Sequence, residues 1–292
     1  MTVKTNEDRL VVVSVAGTIV HPSFPGLPAE PYRLAADGTP FLLPTYGGIV
    51  YNISVGDQAF GWLADCVHPG VSIHYGAELG NRGLNVFACV GNDAMVMTGE
   101  AKGTRGVVTG KSGRFSENVI VHVPKETRQR LAVGDKIVVR AQGVGMAVDG
   151  FSDMRLKSLS PKLFRALSPE RAGERIRIPV VARIPPHFLG AGAGLTSEGG
   201  SLHMQTTDRE ALKAAGLDSL KLGDIVALED YDSRYQHGYM RGAVGIAVIG
   251  QTDGPRAGYG PGMTLLMTEP HGHIEPVPTP GTNLVSLLGL EA

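Results

Sequence analysis

Glycine and proline interrupt this chain too often for long helices. They supply 40 and 19 of its 292 residues, a fifth of the chain against a usual share of about 12%, with no collagen-like period and no low-complexity tract. Between them stand short runs rich in β-branched residues: LVVVSVAGTIV at 10–20, GGIVYNISVGD at 47–57, VIVHV at 119–123, AVGIAVIG at 243–250 and MTLLMT at 263–268. In a helix interior a glycine costs about 1 kcal/mol and a proline about 3, whereas tight turns between strands call for both. The chain is therefore expected to be mainly β, with a few short helices.

One turn-to-strand pattern occurs twice. LAVGDKIVVRA (131–141) and LKLGDIVALED (220–230) each place Leu shortly before Gly-Asp and a β-branched strand after it, as a turn feeds a strand. Period-two patterning between glycines predicts a small SH3-like barrel over about 91–141, with Val107, Val119, Val121, Ile137 and Val139 in its core. It would sit inside a larger β-barrel or sandwich. The expected divisions are an N-terminal β segment (1–90), the barrel (91–150) and a C-terminal β-rich domain (151–292) packing on the N-terminal segment. A Pro-rich loop, 21–31, cannot be helical. Ser160-Pro161 and Ser168-Pro169 predict helix starts, and Thr207 to Glu210 is a capping box for a helix that Gly216 ends.

Lys102-Gly103, Gly106 and Val108 after a strand resemble the KOW motif of SH3-like barrels in ribosomal and transcription-elongation proteins. That resemblance implies a fold and leaves a binding protein for RNA or a protein partner as the alternative function. Over most of 45–275, the succession GNDAMVMTGEAKGTRGVVTGKSG, VGDKIVV, GAGAGL, HMQTTD, LGDIVALEDYD and GYGPGMTLLMT is similar to a bacterial and archaeal family of unknown function. That second resemblance implies a mainly β structure with a small barrel inside it, and transfers no catalytic residue.

A formal charge of −1 and a pI near 6.8 supply no field for nucleic acid or an anionic membrane. Residues 100–140 carry nine Lys or Arg against four Asp or Glu, but Phe115 is their lone aromatic, while single-strand binders interleave several. No nucleic acid partner is expected. Cys66 and Cys89 are too few for a disulfide framework and match no zinc spacing. The N-terminus lacks a signal-peptide pattern, and no apolar run approaches the roughly 20 residues of a membrane helix. The expected setting is cytoplasmic, without a membrane partner, as a monomer or a homo-oligomer.

Chemistry concentrates in 228–277. Asp230-x-Asp232 and His271-x-His273 each place two ligating groups on one face when extended, a donor set suited to Zn, Mn or Fe; such a divalent metal would activate water on a small substrate. The bland alternative is solvated, capping turns. Without metal, His203 or His237 is the candidate general base, Arg241 the bidentate carboxylate ligand, and Tyr239 an oxyanion donor. Gly260 and Gly262 either build a turn or offer an anion-binding nest with Thr264. Asp65, His68 and His74 flank a Pro-Gly turn, His68 as a further substrate contact. Gly190, Gly192 and Gly194 precede no amphipathic helix, so no nucleotide cofactor is predicted. One pocket should join the 230–241 loop, the 258–264 loop and either 65–74 or His203. The function expected is hydrolysis or a related lyase reaction on a small polar, anionic metabolite.

Overall fold

The computed structural model of the protein describes residues 3–23, 32–113, 117–193, 200–234 and 238–291. In the first half, strand β1 (Val13–Ile19) is followed by a short hairpin of β2 (Arg33–Leu34) and β3 (Pro40–Phe41). Then come β4 (Val71–His74), helix α1 (Glu78–Phe87), β5 (Asp93–Val96), β6 (Arg105–Ser112), β7 (Asn118–His122), helix α2 (Lys125–Arg128) and β8 (Lys136–Ala141). Six of these strands close an antiparallel barrel in the order β1-β4-β7-β6-β5-β8, with β8 returning to β1. The span 91–141 supplies four of them. Alone they would leave edges open at β7 and β8; β4 covers the first and β1 the second, so unpaired edge groups do not face water.

Val119, Val121, Ile137 and Val139 fill the barrel with Ile19, Val71 and Ile73. Val107 does not join them. Strand alternation turns Val108 inward and Val107 outward onto the other core, and a register shift follows between Val108 and Gly110.

The second half opens with β9 (Arg155–Leu156), helix α3 (Pro161–Ala166), β10 (Glu170–Ala172), β11 (Arg175–Val180), β12 (Ala182–Ile184) and β13 (Leu202–His203). Helix α4 (Arg209–Ala214), β14 (Ile225–Asp232), β15 (Gly238–Ile249), β16 (Gly262–Glu269), β17 (Ile274–Pro278) and helix α5 (Leu284–Leu288) complete it. The main sheet runs β12-β14-β15-β16-β13, with β9 beside β16, and β10-β11-β17 form a smaller sheet. Both faces of the main sheet are covered. Ile225, Ala227, Ile246 and Val248 point into one apolar core, and Val226, Leu228, Ala247 and Ile249 into another. This double burial explains why AVGIAVIG is continuously apolar instead of alternating. Thr264 joins the halves: its hydroxyl accepts from the Lys111 N–H at 2.9 Å and donates to the Lys111 carbonyl at 3.2 Å.

The repeated Gly-Asp pattern is one physical device, and a third copy exists. Gly56, Gly134 and Gly223 have φ of 100°, 95° and 90°, as a type II turn requires at its third position. In each, the following Asp accepts from the backbone N–H three residues earlier: Asp57 from Ser54 at 2.7 Å, Asp135 from Ala132 at 2.8 Å and Asp224 from Lys221 at 2.8 Å.

Ser160 caps α3 as expected, accepting from the Leu163 N–H with Pro at the helix start. Ser168-Pro169 starts no helix. Ser168 takes a left-handed φ of 48° and the next residues enter β10, because pairing with β11 satisfies their backbone. For α4 the cap is Asp208, one residue past Thr207: its carboxylate accepts from Ala211 N–H at 2.9 Å. Among the described residues no helix is long and apolar enough to cross a membrane.

Candidate functional site

The segment 65–67 threads between two loops, and each of its peptides is held. Asp65 N–H donates to Pro44 O, Cys66 N–H to Asp253 O, and Val67 N–H to the Thr252 hydroxyl. This over-determination sustains a left-handed Cys66, φ 59°, a conformation costing a residue with a Cβ about 1–2 kcal/mol. The turn sends neighbouring side chains to different partners. Asp65, 1% exposed, receives Arg33 at 3.3 Å and Arg256 at 3.2 Å. The Cys66 thiol lies 3.3 Å from the Tyr259 carbonyl and 3.8 Å from His203 Nδ1.

Cys66 borders a cavity of about 190 Å³, walled by Arg33, Tyr46 and Glu117 from the first half and by His203, Arg256 and Tyr259 from the sheet half. His203 Nδ1 is 2.9 Å from the Gly260 carbonyl. A carbonyl only accepts, so Nδ1 carries the proton and Nε2 the lone pair. Burial lowers this imidazole's pKa to about 4, despite the Gly260 bond; at neutral pH it is uncharged and able to accept a proton. The Cys66 thiol is pushed up by burial and then by the Asp65 charge, so it stays a thiol and donates to Tyr259 O.

Arg256 is fixed on two sides. Its Nε reaches both Asp65 oxygens, and its guanidinium lies 3.7 Å from the Tyr259 ring centre. Among the described residues its Nη nitrogens make no hydrogen bond, leaving two donors in fork geometry. Burial raises the Glu117 carboxyl, against the pull of His74 and a hydrogen bond with Tyr46. Burial also raises the Tyr46 phenol, reinforced by Glu117. Behind this wall His68 is fully buried, stacked on Tyr46 at 5.9 Å. Its Nδ1 is 2.6 Å from Ser72 Oγ and its Nε2 accepts from Gln251 Nε2 at 3.1 Å. Gln251 Nε2 also donates to the Cys66 carbonyl, so His68 supports the strained turn from outside the cavity.

The structure thus brings the 65–74 segment, His203 and the 258–264 loop together, and leaves Asp230, Asp232, Tyr239 and Arg241 elsewhere. Arg241 lies near one end of β15 and Gln251 just past the other, ten residues on, or on the order of 30 Å along an extended strand. Arg241 and Tyr239 are exposed. Asp230, itself left-handed at φ 52°, accepts from Gly242 N–H at the β14–β15 bulge. Asp232 is buried, binding Arg234 and the Thr268 hydroxyl. The backbone N–H groups of His271 and His273 both donate to Glu269, and their rings face Asp153 and Glu269 at 3.6 Å and 3.2 Å. Among the described residues no three His, Cys, Asp or Glu side chains converge as metal ligands. Gly260 is no anion nest: its N–H donates to Met204 O and its carbonyl holds His203. The Gly262 carbonyl accepts from Gly250 and Gln251, and Thr264 is consumed in the Lys111 clamp. His237 lies outside the described residues.

Sequence reasoning missed Arg33, Tyr46, Glu117 and Arg256. Each stands in a loop or hairpin end whose partner is distant in sequence; the aromatic within GYGPG was the nearest local signal.

The comparisons with known proteins agree with the fold. The N-terminal domain of a family described as a domain of unknown function, DUF4438, matches residues 32–165, and its C-terminal domain matches 167–288. The crystal structure of TM1086 resembles the protein at a TM-score of 0.90 and 38% identity, covering 97% of this chain and 98% of that one. Among curated proteins no sequence matches.

Proposed function

The chain belongs to the DUF4438 family, whose description names no activity, and from the chemistry of the pocket we propose that it is an enzyme of the hydrolase or lyase class acting on a small anionic metabolite. A cavity of about 190 Å³ is below the roughly 300 Å³ at which drug-sized ligands are held, so the substrate is smaller than a nucleotide or peptide. Arg256, braced by Asp65 and Tyr259, takes the anionic group through its Nη fork. His203 Nε2 accepts a proton from water or from an acidic carbon. Glu117, bonded to Tyr46, returns a proton to the departing oxygen.

One observation carries this reading: a histidine held neutral and a carboxyl shifted toward its protonated form face one small cavity. Burial favours the neutral form of both groups, so one can accept a proton while the other donates one. The test is a thermal-shift screen of small carboxylates, hydroxy acids and phosphate esters, followed by NMR assay of turnover for compounds that bind. A ligand at a hundredfold its Kd stabilises by about 2.7 kcal/mol, or about 4 °C for a chain of this length. The expected result is a shift lost in Arg256→Ala, with His203→Gln keeping binding and losing turnover. A panel without any shift, or wild-type turnover in His203→Gln, refutes the proposal.

A further inference from the structure

We infer that Glu117 meets the ligand's anionic group as a protonated carboxyl, so that the pocket takes up a small carboxylate together with one proton. This rests on the pocket being an anion site, and adds which anion chemistry it selects.

The position of Glu117 is built from several sides. Its carbonyl receives His74 Nδ1 at 2.6 Å and Asn81 Nδ2 at 3.0 Å, and its N–H donates to Ser112 O at 3.0 Å. Its side chain lies across Gly113: a Cβ there would sit within 2.4–2.6 Å of the Glu117 Cγ, Cβ and Cδ atoms, at a φ of 91°. Tyr46 stands on the same cavity wall, its phenol favouring the ionised carboxyl. The carboxyl is therefore held over the cavity by its neighbours on both sides.

The surrounding charges set what it can do. Arg33 and Arg256 both bond the Asp65 carboxylate, so the charge of that wall is already partly offset before a ligand arrives, and an ionised Glu117 adds a negative charge beside it. A ligand carboxylate arriving at Arg256 then adds a second negative charge to a cavity of about 190 Å³. Two carboxylates sharing one site do not both ionise; one keeps a proton and donates it to the other. His203, already neutral, supplies no compensating charge, and the Tyr46 phenol is held protonated by burial. His74 faces Glu117 and favours its ionised form, the one imidazole opposing the proton. Burial already tilts Glu117 toward holding it.

The test titrates acetate and glycolate, as probes, into the full-length protein between pH 5 and 8, following amide resonances. Affinity should fall about tenfold per pH unit above the Glu117 pKa, since one proton enters with each anion. Glu117→Gln should bind with no pH dependence, and His74→Gln should keep the slope, assigning it to the carboxyl. Calorimetry of the unaltered protein in buffers of different ionisation heat counts the proton directly, without relying on any variant folding; one is expected. Binding with no proton uptake, or a slope that survives in Glu117→Gln, overturns this inference and leaves the anion site standing. Failure of both probes to bind at any pH overturns the anion site and this inference with it.

Discussion

Replacing Thr264 by Val tests whether this residue joins two halves of the protein or serves a ligand. Val keeps the shape and removes the hydroxyl. In the protein that hydroxyl is fully buried, accepts from Lys111 N–H at 2.9 Å and donates to Lys111 O at 3.2 Å. The variant removes one partner from the Lys111 N–H and one from the Lys111 carbonyl inside the core. A buried group left unsatisfied costs about 1–3 kcal/mol, and the pair should cost about 2–3. With an unfolding entropy near 2.1 cal/mol/K per residue, this corresponds to a Tm lowered by about 3–5 °C. Thr264→Ser keeps both bonds and loses one methyl group, so it should fall by about 1 kcal/mol. The assay is calorimetric or circular-dichroism melting, run beside the acetate titration. A Thr264→Val protein within about 0.5 kcal/mol of wild type refutes the clamp, and so does a variant of unchanged Tm that has lost anion affinity.

Arg128 is fully buried and donates to the carbonyls of Val123, Val50 and Ile53 and to Ser54 Oγ; Arg128→Ala should destabilise by more than about 3 kcal/mol in denaturant unfolding, and Arg128→Lys, lacking the planar fork, should recover less than half. Burial lowers the pKa of His68 to about 3 and of His122 and His203 to about 4. Below about 6.5 the unfolded chain therefore binds protons that the folded one refuses, and stability is lost as pH falls from 6.5 toward those values, by about 1.4 kcal/mol per pH unit for each histidine. Raised carboxyls at Glu117, Asp224 and Asp253 act in the opposite sense, so the clean measurement is the difference: His68→Gln should flatten the acid limb by about 1.4 kcal/mol per pH unit, and an unchanged limb refutes the assignment.

Local physics was legible in the sequence. The Gly-Asp turns, the Ser160 cap and the strands of 119–123, 136–141 and 243–250 all depend on neighbours a few residues away, and they stand where patterning put them. What failed was distance. Asp230, Asp232, Arg241, His271 and His273 looked like partners of Gly260 because they are near it in sequence, yet a strand of 12 residues carries its two ends apart. Reading GYMRGAVGIAVI as one strand would have separated them, but Arg241 and Gly242 broke the apolar run. Glu117 and Arg256 reach one cavity only because the barrel packs on the sheet, and nothing in GRFSEN or DGPRAG announces that packing. Helix α1, with two glycines in its ten residues, was hidden by the same composition that revealed the strands.

Closure of the barrel sets a timetable for biosynthesis. Strand β1, complete at residue 19, pairs with β8, which begins at residue 136. At roughly 5–20 residues per second, a ribosome takes on the order of 10 s to make the chain between them. For that interval Val13 to Gly17 belong to a strand whose β8 neighbour does not yet exist, the kind of edge that recruits other chains. Contacts this distant in sequence also slow folding once synthesis ends, so the nascent β1 segment is where a chaperone would be needed.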